Sequence, residues 1–362
     1  MLFTPLVCLT LCLTTAAPRA DVVEKKFTNG ALKTRTEVLI DDKGKEIQHG
    51  KRVRYYPNGR MALEENYVND EKEGPWTSWF DSGVKSAEGT YHKNAKEGPE
   101  YHYLMDGTKF LATNFKNGLQ NGKRVEWADE NRKSRESDYE NGQLHGTVTE
   151  WYADGEKKLE ENYEHGLKHG LSQIWNVGGT MDREAHFNHG RKEGELKEWY
   201  PSGELKLQLT FKEGKRDGVV TDWYRNGTKH LEAEYKMGEP NGVSRTWFED
   251  EAKASELTFV NNKLDGVQYF WHANGEKKTE MGYRAGKRDG TFTHWFENGA
   301  RSSTGQYVND RPDGEFKTWS SDGKLQAVKF YSKGEKTGVW IQWDRQGRKT
   351  SEVTYKNGVR VE

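Results

Sequence analysis

Apolar side chains along this chain come singly, at fixed intervals, in a background of Lys, Glu, Asp and Asn. Glycines at 50, 74, 98, 122, 146, 170, 194, 218, 242, 266, 290, 314 and 338 open thirteen consecutive units of equal length, with no insertion or deletion. Taking each of these glycines as position 0, position 5 is always aromatic. It is Tyr55 and Tyr103 in two units, and Trp79, Trp127, Trp151, Trp175, Trp199, Trp223, Trp247, Trp271, Trp295, Trp319 and Trp343 in the others. Position 17 is Tyr or Phe throughout, from Tyr67 to Tyr355. Position 9 is glycine except at Asn131 and Glu251, and position 20 is Gly, Asn or Asp. Those are the residues that best tolerate a left-handed backbone. A fixed period of this length signals a repeat architecture.

Inside one unit, apolar and polar residues alternate with period two, which predicts two strands. In "VTEWYADGEKKLEENYEHGLKHG" the first strand ends near Trp151 and a three-residue hairpin loop follows, with Gly155 at its left-handed position. The second strand runs to Tyr163, and a longer glycine-bearing turn leads to the next unit. Such loops set position 6 opposite 10, 5 opposite 11, and 17 opposite position 1 of the next unit. Alternation then puts positions 1, 3, 5, 11, 13, 15 and 17 on one face, where the tryptophans form the structural core. Lysines at position 11 (Lys85, Lys109, Lys133, Lys157 and Lys277) are expected to lay their stems over the indoles.

The expected fold class is all-β: an elongated single-layer antiparallel sheet of stacked β-hairpins. At ~4.8 Å per strand this makes a rod on the order of 120 Å long. Two aromatics per unit cannot offset the conformational entropy of ordering the whole unit, so units fold only by stacking. Residues 21–49 fall outside the period and read as an N-terminal capping hairpin with a longer second turn; residues 50–362 are the repeats. The end, "SEVTYKNGVRVE", reads as an uncapped edge open to end-to-end association, which Lys349, Lys356 and Arg360 discourage.

Composition narrows the function classes. Aromatic residues at 12% argue against disorder despite 31% charged residues. With a formal net charge of −1 and the two signs interspersed, no basic tract exists to hold nucleic acid. Residues 1–20, "MLFTPLVCLTLCLTTAAPRA", are apolar and close on small residues, so they read as a signal peptide cleaved after Ala17 or Ala20. The stretch is shorter than a membrane-spanning helix. Cys8 and Cys12 both lie within it, which leaves the mature chain without disulfides, thiolate chemistry or cysteine-held zinc. The expected location is outside the cytoplasm: periplasm, cell surface or medium.

Segments such as "YYPNGRMALEENY" and "EWYPSGELKLQLTF" resemble the MORN-type repeat, in particular the bacterial MORN_2 variant found in proteins labelled YwqK-type antitoxins. The resemblance spans residues 50–362. It implies stacked β-hairpins, usually no catalytic activity, and a role in toxin–antitoxin or immunity systems or as a scaffold, in some members at membranes. It carries over no functional residues.

Candidate sites follow from what the repeat leaves variable. A second aromatic at position 6 occurs in only some units: Tyr56, Phe80, Tyr152, Tyr200, Tyr224, Phe248 and Phe296. Alternation puts it opposite the tryptophans, as a ligand surface on the more polar face. Histidines His145, His165, His169 and His189 gather in successive turns as weak metal candidates. Carboxylate pairs Glu160–Glu161 and Asp250–Glu251 lack the concave, dry site that acid–base catalysis needs. Glu251, in place of the turn glycine, marks either a tolerated variant turn or a kink dividing the repeats. With no nucleophile motif, P-loop or dinucleotide fingerprint, neither an enzyme nor a cofactor is expected. The expected function is an exported scaffold for protein–protein interaction; the alternatives are an antitoxin or immunity protein and a binder of surface carbohydrate or lipid. Trp151→Ala is expected to lower stability and Tyr152→Ala to spare it.

Overall fold

The computed structural model describes residues 18–361. The segment expected to be a signal peptide lies mostly outside those residues, although Arg19 already opens the strand Arg19–Lys26 and pairs with Ile40. Thirty-four strands, all paired antiparallel, and no helix make up the described residues. The chain divides into two compact units at Leu167 and Lys168. In the first, the capping strands Arg19–Lys26 and Leu32–Ile40 lead into Glu46–Tyr55 and then, strand by strand, to Lys157–Glu164. The second continues to Val359–Arg360.

The first turn of each repeat follows the expected pattern. Tyr152 N donates to Glu156 O (2.9 Å), Gly155 N donates to Tyr152 O (3.0 Å), and Gly155 has φ +93°. Glu251 keeps that turn: its φ is +68° and its N–H donates to Phe248 O at 3.0 Å, so the missing glycine introduces no kink. Asn131 departs from it. There the Asp129 carboxylate accepts the amides of Asn131 and Arg132 at 3.1 and 3.0 Å.

The second turn corrects the expected register. It is a two-residue hairpin at positions 19 and 20, both left-handed in all thirteen repeats, as in Asn141 (φ +49°) and Gly142 (φ +81°). Glu140 pairs with Gln143 around it. The position-0 glycine then sits in a bulge, again with positive φ (Gly146, +103°). Position 17 therefore opposes position 22, as Tyr139 opposes Leu144, and not position 1 of the next unit.

A second bulge lies across from the tryptophan, on the second strand. Trp151 pairs with Lys157 as expected, but Glu150 pairs with Leu159, Val148 with Glu161 and Gly146 with Tyr163. The extra residue is Lys158, between Lys157 and Leu159, and it reverses the parity of everything after it on the second strand. Positions 2, 4, 13, 15 and 17 thus share one face, and positions 1, 3 and 5 lie on the other. The two aromatic ladders are on opposite faces.

Burial follows this corrected register. The tryptophans are half-buried, and the most buried side chains sit at positions 2 and 15: Val148 in the first unit, Leu196, Leu209 and Val220 in the second. In the second unit Ala185, Leu196, Leu209 and Val220 form a core against Phe187, Leu207, Phe211 and Tyr235. Gln268, 0% exposed, joins that row at no cost in hydrogen bonds. Its Oε1 accepts Thr258 N (2.7 Å), and its Nε2 donates to the carbonyls of Asp265 (3.2 Å) and Gly266 (3.1 Å). The same row in the first unit is mostly polar, with Glu65, Glu100, Thr113, Ser137 and Glu161 all buried.

Candidate functional site

The tryptophan face is covered by its own side chains. Lys109 Nζ lies 4.5 Å from the Trp127 ring centre, and Lys133, Lys229, Lys253 and Lys277 repeat this contact on Trp151, Trp247, Trp271 and Trp295. Each of these lysines except Lys109 also reaches a glutamate at position 14, as Lys133 reaches Glu136 (2.5 Å) and Lys253 reaches Glu256 (3.1 Å). Of the lysines expected over indoles, Lys109, Lys133 and Lys277 lie there, while Lys85 lies over the Tyr103 ring at 5.7 Å. Burial pushes the Glu136 carboxyl up, and Lys123 and Lys133 outweigh it, so its pKa falls below the usual range. Tyr103, which holds position 5 in its repeat, donates to Glu88 at 2.5 Å. Burial and that bond push its phenol up to about 12.

The opposite face has its own cation ladder. Lys72 lies over Tyr91, Lys96 over Phe115, Lys192 over Phe211 and Lys336 over Tyr355, with ammonium-to-centroid distances of 4.8, 4.8, 5.1 and 5.0 Å. In the first unit these cations also serve the buried carboxylates: Lys72 Nζ is 2.6 Å from Glu65, and Lys96 Nζ is 2.5 Å from Glu100. Burial disfavours the charge on Lys72, but the bond to Glu65 prevails and raises its pKa.

The position-6 aromatics do lie opposite the tryptophans, all seven half-buried. Their hydroxyls tie repeats together. Tyr56 donates to the carbonyl of Trp79 (2.8 Å), Tyr200 to that of Trp223 (2.8 Å) and Tyr224 to that of Trp247 (3.0 Å). His272 makes the equivalent contact with Trp295 O at 3.1 Å. The face they share is the one with the most buried side chains, not the more polar face.

One place on that face is open. Trp76, Phe80, Phe110, Tyr103, Leu104 and Met105 line an apolar cavity of about 640 Å³ in the first unit, with Met105 73% exposed. Gly89 makes room for it, because a Cβ there would meet the Trp76 indole nitrogen at 2.9 Å. That indole N–H is buried and has no hydrogen-bond partner among the described residues. Leu104 and Met105 escaped the sequence reading because they replace the aromatic at position 6 instead of adding one. Their signal is a pair of large apolar residues inside a turn, where other repeats carry "YP", "YA" or "FE".

The four turn histidines are brought together two by two. His145 and His165 have ring centres 5.2 Å apart in the first unit, and His169 and His189 have theirs 4.8 Å apart in the second. The carboxylate pairs are engaged locally. Glu160 is held by Lys157 (2.5 Å), Glu161 accepts the Tyr163 hydroxyl (2.7 Å), and Asp250 accepts Ala252 N (3.1 Å). Burial and the Glu161 bond raise the Tyr163 pKa.

A hairpin in every repeat, a second turn with the same left-handed backbone in all thirteen, and side chains that bind each repeat to the next define a β-hairpin repeat protein. The repeats are MORN repeats: the model for the MORN repeat variant matches residues 48–69, 144–165, 192–213 and 312–333. Such repeats form a scaffold for binding. No curated protein matches the chain. Among solved structures, the TcdB2-TccC3-Cdc42 crystal structure is 10% identical over 90% of this chain and 24% of its own, with a TM-score of 0.15. The Photorhabdus luminescens Tc holotoxin pore, with a TccC3-D651A mutation, is 10% identical over 93% of this chain and 23% of its own, also at 0.15. The chain spans about a quarter of the length of those structures.

Proposed function

We infer that this protein is a non-enzymatic, exported scaffold that captures a protein partner through the apolar cavity of its first unit. The cavity carries the reading. Cations lie over many of the other aromatics, whereas Leu104 and Met105 leave a large apolar surface open beside the Trp76 ring. Contiguous apolar surface of this kind suits an aromatic or aliphatic anchor of a partner. Export rests on the apolar, small-residue-terminated stretch of residues 1–20 and on the confinement of both cysteines to it. A partner that is itself a toxin would make the scaffold an antitoxin or immunity protein.

The test is an affinity pull-down with residues 21–362 against envelope and culture fractions of the source organism, run beside Met105→Asp and read by mass spectrometry. A stoichiometric protein captured by the native chain and lost with Met105→Asp supports the reading. Equal capture by both overturns the role of the cavity. Capture of no protein overturns protein binding in favour of glycan or lipid. Recovery of the native chain in the cytoplasmic fraction with residues 1–20 intact overturns export.

A further inference from the structure

The two-residue turns are fixed to the preceding repeat through the backbone. Gly166 N donates to Leu144 O at 2.8 Å and Gly190 N to Lys168 O at 2.7 Å, and the other repeats have the equivalent bond. This holds position 19 of each turn against position 23 of the repeat before it. Elsewhere that contact has a backbone task, in which a side-chain oxygen at position 23 accepts the N–H of position 19. Glu97 accepts from Asn117 (2.8 Å), Glu193 from Glu213 (2.7 Å) and Asp313 from Lys333 (2.8 Å).

Two successive turns abandon the arrangement at both positions at once. His145 replaces the capping oxygen and meets His165; one repeat later His169 replaces it and meets His189. Losing a cap requires one substitution, and nothing in the backbone asks for a second imidazole opposite the first. His145 Nδ1 is buried, makes no hydrogen bond among the described residues, and has Glu140 Oε2 3.5 Å away.

We propose that each pair is a bis-histidine site for a divalent transition-metal ion of the zinc, nickel and copper class, one in each compact unit. Imidazole is a ligand these ions prefer, whereas calcium and magnesium require oxygen donors. An ion held ~2.1 Å from one nitrogen of each ring at a tetrahedral angle separates the ring centres by about 5 Å. The observed separations of 5.2 and 4.8 Å match that requirement. Water completes the coordination. Each ion would clamp a turn to the repeat before it and so stabilise the folded chain. The sites are independent of the cavity around Trp76 and of any partner bound there.

The experiment uses the untagged chain, stripped with chelator and titrated with Zn²⁺ or Ni²⁺ against a competing indicator dye, with thermal unfolding recorded in parallel. His165→Asn and His189→Asn, singly and together, introduce a residue the turn already accepts, since Asn117 and Asn141 hold the same left-handed position. The native chain is expected to bind two ions, each single variant one, and the double variant at least tenfold more weakly with no thermal shift on adding metal. Absence of binding by the native chain overturns the proposal. So does binding that the double variant keeps in full. If one single variant leaves the stoichiometry unchanged, the pair it disrupts is not a site.

Discussion

The two compact units share a backbone and differ in what fills it. In the first, the row at positions 2 and 15 reads Arg52 and Glu65, Trp76 and Gly89, Glu100 and Thr113, Arg124 and Ser137, Val148 and Glu161. In the second it includes Leu196 and Leu209, Val220 and Ala233, Phe292 and Gly305. The turns, bulges and pairings are alike in both. The fold is therefore specified by glycines and turn residues, while the row between them is free to be ionic or apolar. An ionic row needs a cation for each buried carboxylate, and Lys72 and Lys96 supply it to Glu65 and Glu100. An apolar row needs complementary volumes: where Phe292 and Phe316 are large, residue 305 is glycine. In the first kind, Trp76 interrupts the polar row and, with Phe80 of position 6, lines the apolar cavity.

Substitutions in the two rows should break in different ways. The largest loss is expected from Leu209→Ala, about 2–4 kcal/mol, since Leu209 is 3% exposed in the apolar row. Denaturant unfolding measures it, and a loss below ~1 kcal/mol would mean this row does not hold the second unit together. Gly305→Ala follows at about 1–3 kcal/mol, because the new Cβ lies 2.6 Å from the Phe316 ring and 2.7 Å from that of Phe292. Pairing it with Phe292→Leu should recover part of the loss; no recovery would place the strain elsewhere. In the first unit, Glu65→Ala is expected to cost about 1–2 kcal/mol by leaving Lys72 and the Tyr67 hydroxyl without their carboxylate. Adding Lys72→Met to it should recover stability if the loss is an orphaned charge, and should add to it if the loss is packing.

Smaller effects concern single contacts. Tyr200→Phe removes the bond to Trp223 O and should cost on the order of 1 kcal/mol. That revises the expectation that position 6 is dispensable, and an unchanged melting temperature would restore it. His294 provides the smallest test. Burial lowers its pKa below 6.5, so folding favours the neutral ring. Stability from this group is complete above pH 6.5 and is lost as pH falls from there through the lower folded-state value. His294→Gln should flatten the melting temperature over that range, and an unaltered slope would remove His294 from the account.

Much of the architecture was legible in the sequence because turns announce themselves. Glycine at position 9 gave the first loop and the pairing of Trp151 with Lys157, and lysines at position 11 gave the cover over the indoles. What the sequence concealed were bulges. The extra residue Lys158, across from Trp151, and the left-handed Gly146 carry no compositional mark that separates them from ordinary strand and turn residues. Alternation counted across Lys158 reverses parity, which is why positions 5 and 17 were assigned to a single face. The histidine pairs were visible as a cluster, but their pairing two by two depends on the short turn. The cavity was hidden because Leu104 and Met105 fit no repeat position expected to matter.

The central claim is that one repeat backbone carries an ionic row in one unit and an apolar row in the other. Site-resolved amide hydrogen exchange of the full chain at low salt and in about 1 M NaCl tests it most directly, since the lysine–glutamate contacts of the tryptophan face occur in both units and cancel in the comparison. Protection around Glu65 and Glu100 should fall with salt, while protection around Leu196, Leu209 and Val220 holds. An equal response in the two units would contradict the account.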